Sequence, residues 1–101
     1  MQAVNDLVAI GAANTLLNQG VQIPRDLSVA GFGNVLVSEF FRVPLTTVRQ
    51  PKFRLGEVAL NQLLHLIRGE PAGTLRLPAE IVVRNSTGRL HAATPVPEPK
   101  A

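Results

Sequence analysis

Apolar positions dominate the first third of the chain, and their spacing changes along it. "AV" at 3–4 reads as the end of a strand. Asn5 then fits a helix N-cap, and Asp6 falls in the first turn, where a negative charge meets the positive end of the helix dipole. "LVAIGAANTLLNQ" (7–19) predicts that helix, closed by Gly20 just past its end, where glycine accepts a left-handed backbone. From Leu7 to Ala13 the helix is apolar all the way round, and polar residues enter only at Asn14, Thr15, Asn18 and Gln19. A helix with so apolar a start requires cover on more than one side.

After a short connection broken by Pro24, "LSVAGF" (27–32) predicts a strand. The stretch 33–44 predicts a loop with one helical turn, holding Phe40 and Phe41. "LTTVRQ" (45–50) is β-branched and short, which predicts another strand. Pro51 suits the first position of a second helix over 51–68. There Arg54, Glu57, Asn61, His65 and Arg68 form one polar stripe, beside a wide apolar remainder from Leu55 to Ile67, and Gly69 ends the helix. "LRLPAEIVVRNS" (75–86) is extended, with Ile81, Val82 and Val83 as its expected buried part. The order β-α-β-β-α-β predicts an α/β layer structure with a mainly parallel sheet. The last stretch, 88–101, is rich in proline and reads as a disordered tail.

Composition narrows the chemistry. With 101 residues the chain is one small domain or part of a larger one. Only 17% of its residues are charged against 46% hydrophobic, a balance that leaves apolar surface for a partner. There is no cysteine, which excludes disulfide scaffolds and thiol chemistry. The net charge of +3 comes from scattered arginines and lysines, with no basic run and no interleaved aromatics, so direct nucleic-acid binding by this stretch is not expected. Residues 7–24 carry no charge, but their asparagines, glutamines, glycines and Pro24 interrupt the long apolar run that a membrane span needs. The opening "MQAVNDL" has no basic segment before its apolar stretch, so no secretory signal is expected and the compartment expected is the cytoplasm.

Candidate sites are few. "GFGN" (31–34) has Leu36 where a dinucleotide fingerprint needs its third glycine. It reads either as a strand end that turns sharply or as a ligand-facing terminus, since open α/β sheets bind ligands at the carboxyl ends of their strands. Asn5 and Asp6 read equally as a helix cap or as part of such a pocket. Phe40 and Phe41 are core residues or anchors of an interface. His65 lies on the solvated stripe, the carboxylates are spread singly, and nothing has the spacing of a triad, a metal cluster or a phosphate loop. No enzyme activity, cofactor or metal is expected.

The succession "VNDLVAIGAANTLLNQGVQIPRDLSVAGFGN", "PLTTVRQPKFRLGEVALNQLL" and "LPAEIVVRNST" resembles the lactose-repressor/galactose-repressor family of bacterial transcription regulators over residues 4–87, with "QPKFRLGE" similar to its purine-repressor branch. The resemblance implies the C-terminal portion of a bilobed effector-binding domain of the periplasmic-binding-protein type, spanning residues 1–87 and incomplete. It implies a homodimer, a small sugar-like or purine-like effector between the lobes, and operator DNA bound only through an N-terminal domain outside this sequence. The chain is implied to cross between lobes near "TTVRQ" and to return at 81–84. Asn5, Gly33 and Asn34 correspond to effector-pocket positions. Leu7, Val8, Ile10 and Gly11, with Phe40 and Phe41, correspond to the dimer surface. The family commonly carries an effector-binding Asp where this sequence has Gly33. Loss of such a charge-assisted bond costs about 1.5–3 kcal/mol. A free-standing small-ligand module of the periplasmic-binding class is the alternative reading.

Overall fold

A computed structural model describes residues 1–89, and the tail from Leu90 on, with His91, lies outside the described residues. The described chain forms α1 (Asp6–Asn18), α2 (Val37–Phe40), β1 (Thr47–Arg49), α3 (Lys52–Ile67) and β2 (Glu80–Val82). It divides into two compact units. Residues 1–49 and the segment from Ile81 onward make the first, and Gln50–Glu80 makes the second.

In the first unit three extended segments lie side by side. Residues 29–33 sit in the middle, with parallel bridges from Ala30 to Gln2 on one side and to Thr46 on the other. The backbone bonds confirm the register. Ala30 donates to the Met1 carbonyl and accepts from Ala3, while Gly31 and Gly33 donate to Thr46 and Val48, all at 2.9 Å. β1 continues the third segment and pairs with β2. The parallel arrangement is therefore as the β/α alternation predicts. The strand expected over 27–32 is interrupted, because Val29 N–H turns to the Ser86 carbonyl, although the Ser28 carbonyl accepts from the Met1 amino group and Ala30 to Gly33 bond along the sheet.

The first helix forms where its cap predicts. Asn5 is extended and its Oδ1 accepts from Val8 N–H at 2.9 Å. At the other end Gly20 has φ +88°, and Gly20 and Val21 donate back to the Leu17 and Leu16 carbonyls. This is the left-handed glycine closure that supplies donors to the carbonyls of the last turn. Only Ala9 and Ala13 of its apolar residues are buried. They join Ile23, Val29 and Leu45 in the core, with Ile10, Leu16, Leu17, Phe41 and Val43 packed around them. Each fully buried aliphatic of the size of Leu45 or Val29 contributes about 1.5–3 kcal/mol.

The second unit holds α3. Pro51 is its cap residue rather than its first helical residue, and Gly69 at φ +75° ends it. No residue of α3 is buried, and Phe53 is 87% exposed. The apolar remainder seen in its sequence is thus a bare face within this unit. The expectation that Ile81, Val82 and Val83 are buried is corrected in the same sense. Ile81 and Val83 are each 73% exposed, and only Val82 is half-buried. Three successive apolar residues in a strand point to alternate faces. Ile81 and Val83 share the face that no other element covers among the described residues, while Val82 lies on the opposite, half-covered face.

Close packing sets one stringent position in the first unit. A Cβ at Gly31 would stand 2.3 Å from Asp6 Oδ1, 2.8 Å from Leu45 Cδ2 and 3.1 Å from the Asp6 Cα. Replacing Gly31 with alanine is expected to cost about 1–3 kcal/mol in urea unfolding. The same change at Gly73, where no atom lies within 4 Å of the added carbon, is expected to stay within about 0.5 kcal/mol.

Candidate functional site

The parallel segments of the first unit all end on one edge. Asn5 follows the first, Phe32–Asn34 the second and Arg49 the third. In open sheets this carboxyl edge is where ligands are met. Its framework is Asp6. The residue is wholly buried, and its carboxylate is saturated by three donors. Oδ2 accepts from Val35 N–H at 2.9 Å and from Ser38 Oγ at 2.5 Å, and Oδ1 accepts from Thr47 Oγ1 at 2.6 Å. Asp6 N–H in turn donates to the Phe32 carbonyl. One side chain therefore joins the start of α1, the turn after the central strand, α2 and β1.

Burial is the largest influence on this carboxyl and favours its neutral form. Hydrogen bonds, led by those from Ser38, Thr47 and Val35, outweigh it, so the acid is held below its ordinary value of 3.8. The sequence pattern identifies Asp6 only as a dipole-compensating first-turn acid. Its place in the interior depends on Ser38 and Thr47, whose distance along the chain hides them from local pattern.

Asn5, Gly33 and Asn34 lie on this edge. Asn5 is exposed, with its Oδ1 committed to the cap. Gly33 has φ +118° and an empty space where a side chain would begin, and Asn34 follows at φ +55°. Such angles favour glycine and, among the other residues, asparagine. Asn34 N–H donates to Thr47 Oγ1, and its Oδ1 accepts from Arg84 Nη2 at 2.8 Å. Arg84 also donates through Nη1 to the Leu45 carbonyl at 3.1 Å. Its own N–H donates to Thr46 Oγ1. Sequence reading does not mark Arg84, although it sits in the quoted "VVRNS". A wide depression of about 620 Å³ is lined by Ile23, Pro24, Val43, Pro44 and Arg84 among others. Asn5, Gly33 and Asn34 are not in its lining, and Arg84 borders both it and the edge through its bond to Asn34.

The surface residues fall into two groups. Leu7, Val8, Gly11 and Phe40 are exposed, together with Val4, Leu36 and Val37. Ile10 and Phe41 are half-buried and packed against the core. The Asp6 bonds to Val35 and Ser38 bring the first turn of α1 beside α2, so the exposed members form one apolar surface. Among the described residues no group of acids and histidines could hold a metal ion, and no helix is long and apolar enough to cross a membrane.

The profile of the periplasmic binding protein-like domain matches residues 1–87. The chain belongs to this family. Its periplasmic-binding-protein-like relatives include the HTH-type transcriptional repressor PurR of Mannheimia succiniciproducens, 41% identical over 88 residues, covering 85% of this chain and 26% of that repressor. The HTH-type transcriptional repressor CytR of Escherichia coli is 35% identical over 88 residues, with the same coverage of each chain. The chain thus spans about a quarter of the length of these curated relatives. Among solved structures, the lac repressor dimer bound to operator and the anti-inducer ONPF superposes with a TM-score of 0.79 at 33% identity, over 86% of this chain and 31% of that one. The transcription regulator CcpA of Lactococcus lactis gives 0.78 at 31% identity, over 86% and 33%. The α/β fragment and the lactose-repressor resemblance read from sequence stand on these matches.

Asp6 generates a pH-dependent prediction. A carboxyl whose folded pKa lies below its unfolded value stabilises the fold fully above the unfolded value and loses that contribution as pH falls through the folded one. Asp6→Asn is expected to lose about 2 kcal/mol or more at neutral pH, because buried donors lose their acceptor. In denaturant titrations at a series of pH values, the gap between the wild type and this variant is expected to narrow as pH drops below about 3.8.

Proposed function

We propose that the chain is the effector-binding and dimerising part of a cytoplasmic transcriptional regulator of the lactose-repressor/galactose-repressor type. It does this work by binding rather than by catalysis. Operator DNA is contacted by a part of the regulator outside these residues, and a small molecule is met at the carboxyl edge that carries Asn5 and Gly33.

The observation that carries this reading is the apolar surface of α1 and α2. Leu7 is 66% exposed and Phe40 72% exposed, on a unit whose core is otherwise closed. Isolated exposed apolar residues are ordinary, but a contiguous group that includes a phenylalanine marks an interaction surface. A second copy of the same chain offers a matching surface, since a two-fold interface pairs one patch with itself. The lac repressor structure that resembles this chain is a dimer. The edge beside that surface supplies the binding half of the proposal. Asn5 caps α1 from the same first turn whose Leu7 and Val8 face outward, so ligand contact and subunit contact share one helix.

Gel filtration with light scattering tests the reading. The wild-type chain is expected at twice its 10.8 kDa mass at micromolar concentration. Leu7→Asp combined with Phe40→Asp is expected to yield the monomer with unchanged helical circular dichroism. A wild-type monomer under these conditions would overturn the dimerising role and favour a free-standing ligand module.

A further inference from the structure

We infer that the carboxyl edge of the first unit is built to meet hydrogen-bond acceptors, and that its ligand carries an anionic group such as a phosphate or carboxylate. This deepens the effector-binding role proposed above and rests on it.

The reasoning follows the polarity of each polar side chain at the edge. An asparagine amide offers one acceptor oxygen and two N–H donors. Asn5 Oδ1 is taken by the Val8 N–H, a group that can only donate. That fixes the orientation of the amide and leaves Nδ2 as the group it can offer. Asn34 Oδ1 is taken by Arg84 Nη2, and a guanidinium likewise only donates. Its Nδ2 is therefore also the remaining group. Neither Nδ2 has a partner among the described residues that could consume it. The acid that could have balanced these donors is Asp6, whose two oxygens already serve Val35, Ser38 and Thr47 in the interior. Gly33, between Phe32 and Asn34, contributes no side chain. The side chains of these residues thus leave donors and no free acceptor at the edge.

Charge points the same way. Arg84 is half-buried, and both of its guanidinium contacts are neutral, the Leu45 carbonyl and the Asn34 amide. No carboxylate among the described residues balances its positive charge, and it stands 2.8 Å from Asn34. A half-buried cation is screened less than a surface one, so its field reaches a ligand at Asn34. A neutral polyol could accept from the amide N–H groups through its hydroxyl oxygens but would leave the charge of Arg84 unanswered. An anionic oxygen would accept from them and neutralise the field.

A matched ligand pair isolates the anion. Glucose and glucose 6-phosphate share a sugar body, and both are titrated into the ¹⁵N-labelled 101-residue chain while the side-chain amide signals of Asn5 and Asn34 are followed. Glucose 6-phosphate is expected to bind about tenfold or more tightly than glucose and to shift both amide signals, as one charge-assisted bond would give. Asn5→Asp retains a good N-cap, so the fold is kept while the donor becomes a negative acceptor. This variant is expected to reduce the preference for the phosphorylated sugar by about tenfold. Equal or tighter binding of glucose by the wild type overturns the inference and leaves the effector-binding role standing. A preference for the phosphate that survives unchanged in Asn5→Asp, with no shift of either amide, also overturns it. No response to either sugar overturns the inference and the effector-binding role together.

Discussion

Everything the first unit presents to the outside is hung on a carboxylate that never meets water. The Asp6 side chain accepts from Val35, Ser38 and Thr47, while its backbone N–H donates to the Phe32 carbonyl. A buried charge is tolerated only when its bonds replace those lost to solvent. Here three donors converge on two oxygens, and no buried side-chain polar atom is left unpartnered among the described residues. The same bonds place α2 against α1. They thereby fix the relation between the strand ends and the apolar surface. Gly31 is part of this constraint, because the approach of the Asp6 oxygen leaves no room for a methyl group.

Much of this was legible locally. The Asn5 cap, the Gly20 closure and the period of α3 are properties of neighbours along the chain, and they appear within a residue or two of their expected places. The parallel order followed from strands alternating with helices. What local pattern misses is long-range partnership. "ND" reads as cap plus dipole, yet Asp6 works through residues about thirty to forty positions away. Arg84 looks like a surface arginine and instead spans Leu45 and Asn34. Burial at β2 was over-read for a different reason. "IVV" is apolar enough for a covered strand, but cover is supplied by other chain, and Ile81 and Val83 have none here.

The resemblance to a repressor family drew attention to Gly33 as a missing acid. The geometry gives that absence a positive content. With φ at +118° the backbone turns where a side-chain-bearing residue would be strained, and Asn34 follows in a left-handed conformation secured by Thr47 and Arg84. The polar character of the strand end thus passes from a side chain at position 33 to an amide at position 34 whose orientation is set from outside. A lone sequence motif shows which residue types are present. The direction in which an amide faces depends on a partner fifty residues downstream.

Ser86 is wholly buried, takes the Thr46 N–H on its oxygen and gives its own proton to the Val29 carbonyl. This hydroxyl stitches the returning segment to the central segment and to the one that leads into β1, forty residues after Thr46. During synthesis on the ribosome the first unit consequently stays open until that serine has left the exit tunnel. The entropic cost of drawing in so long an intervening stretch rises only slowly with its length. Insertions within residues 50–80 are therefore tolerated by the closure itself, whereas a stop codon placed just before Ser86 keeps every strand but strips the Thr46 N–H and the Val29 carbonyl of their buried partner.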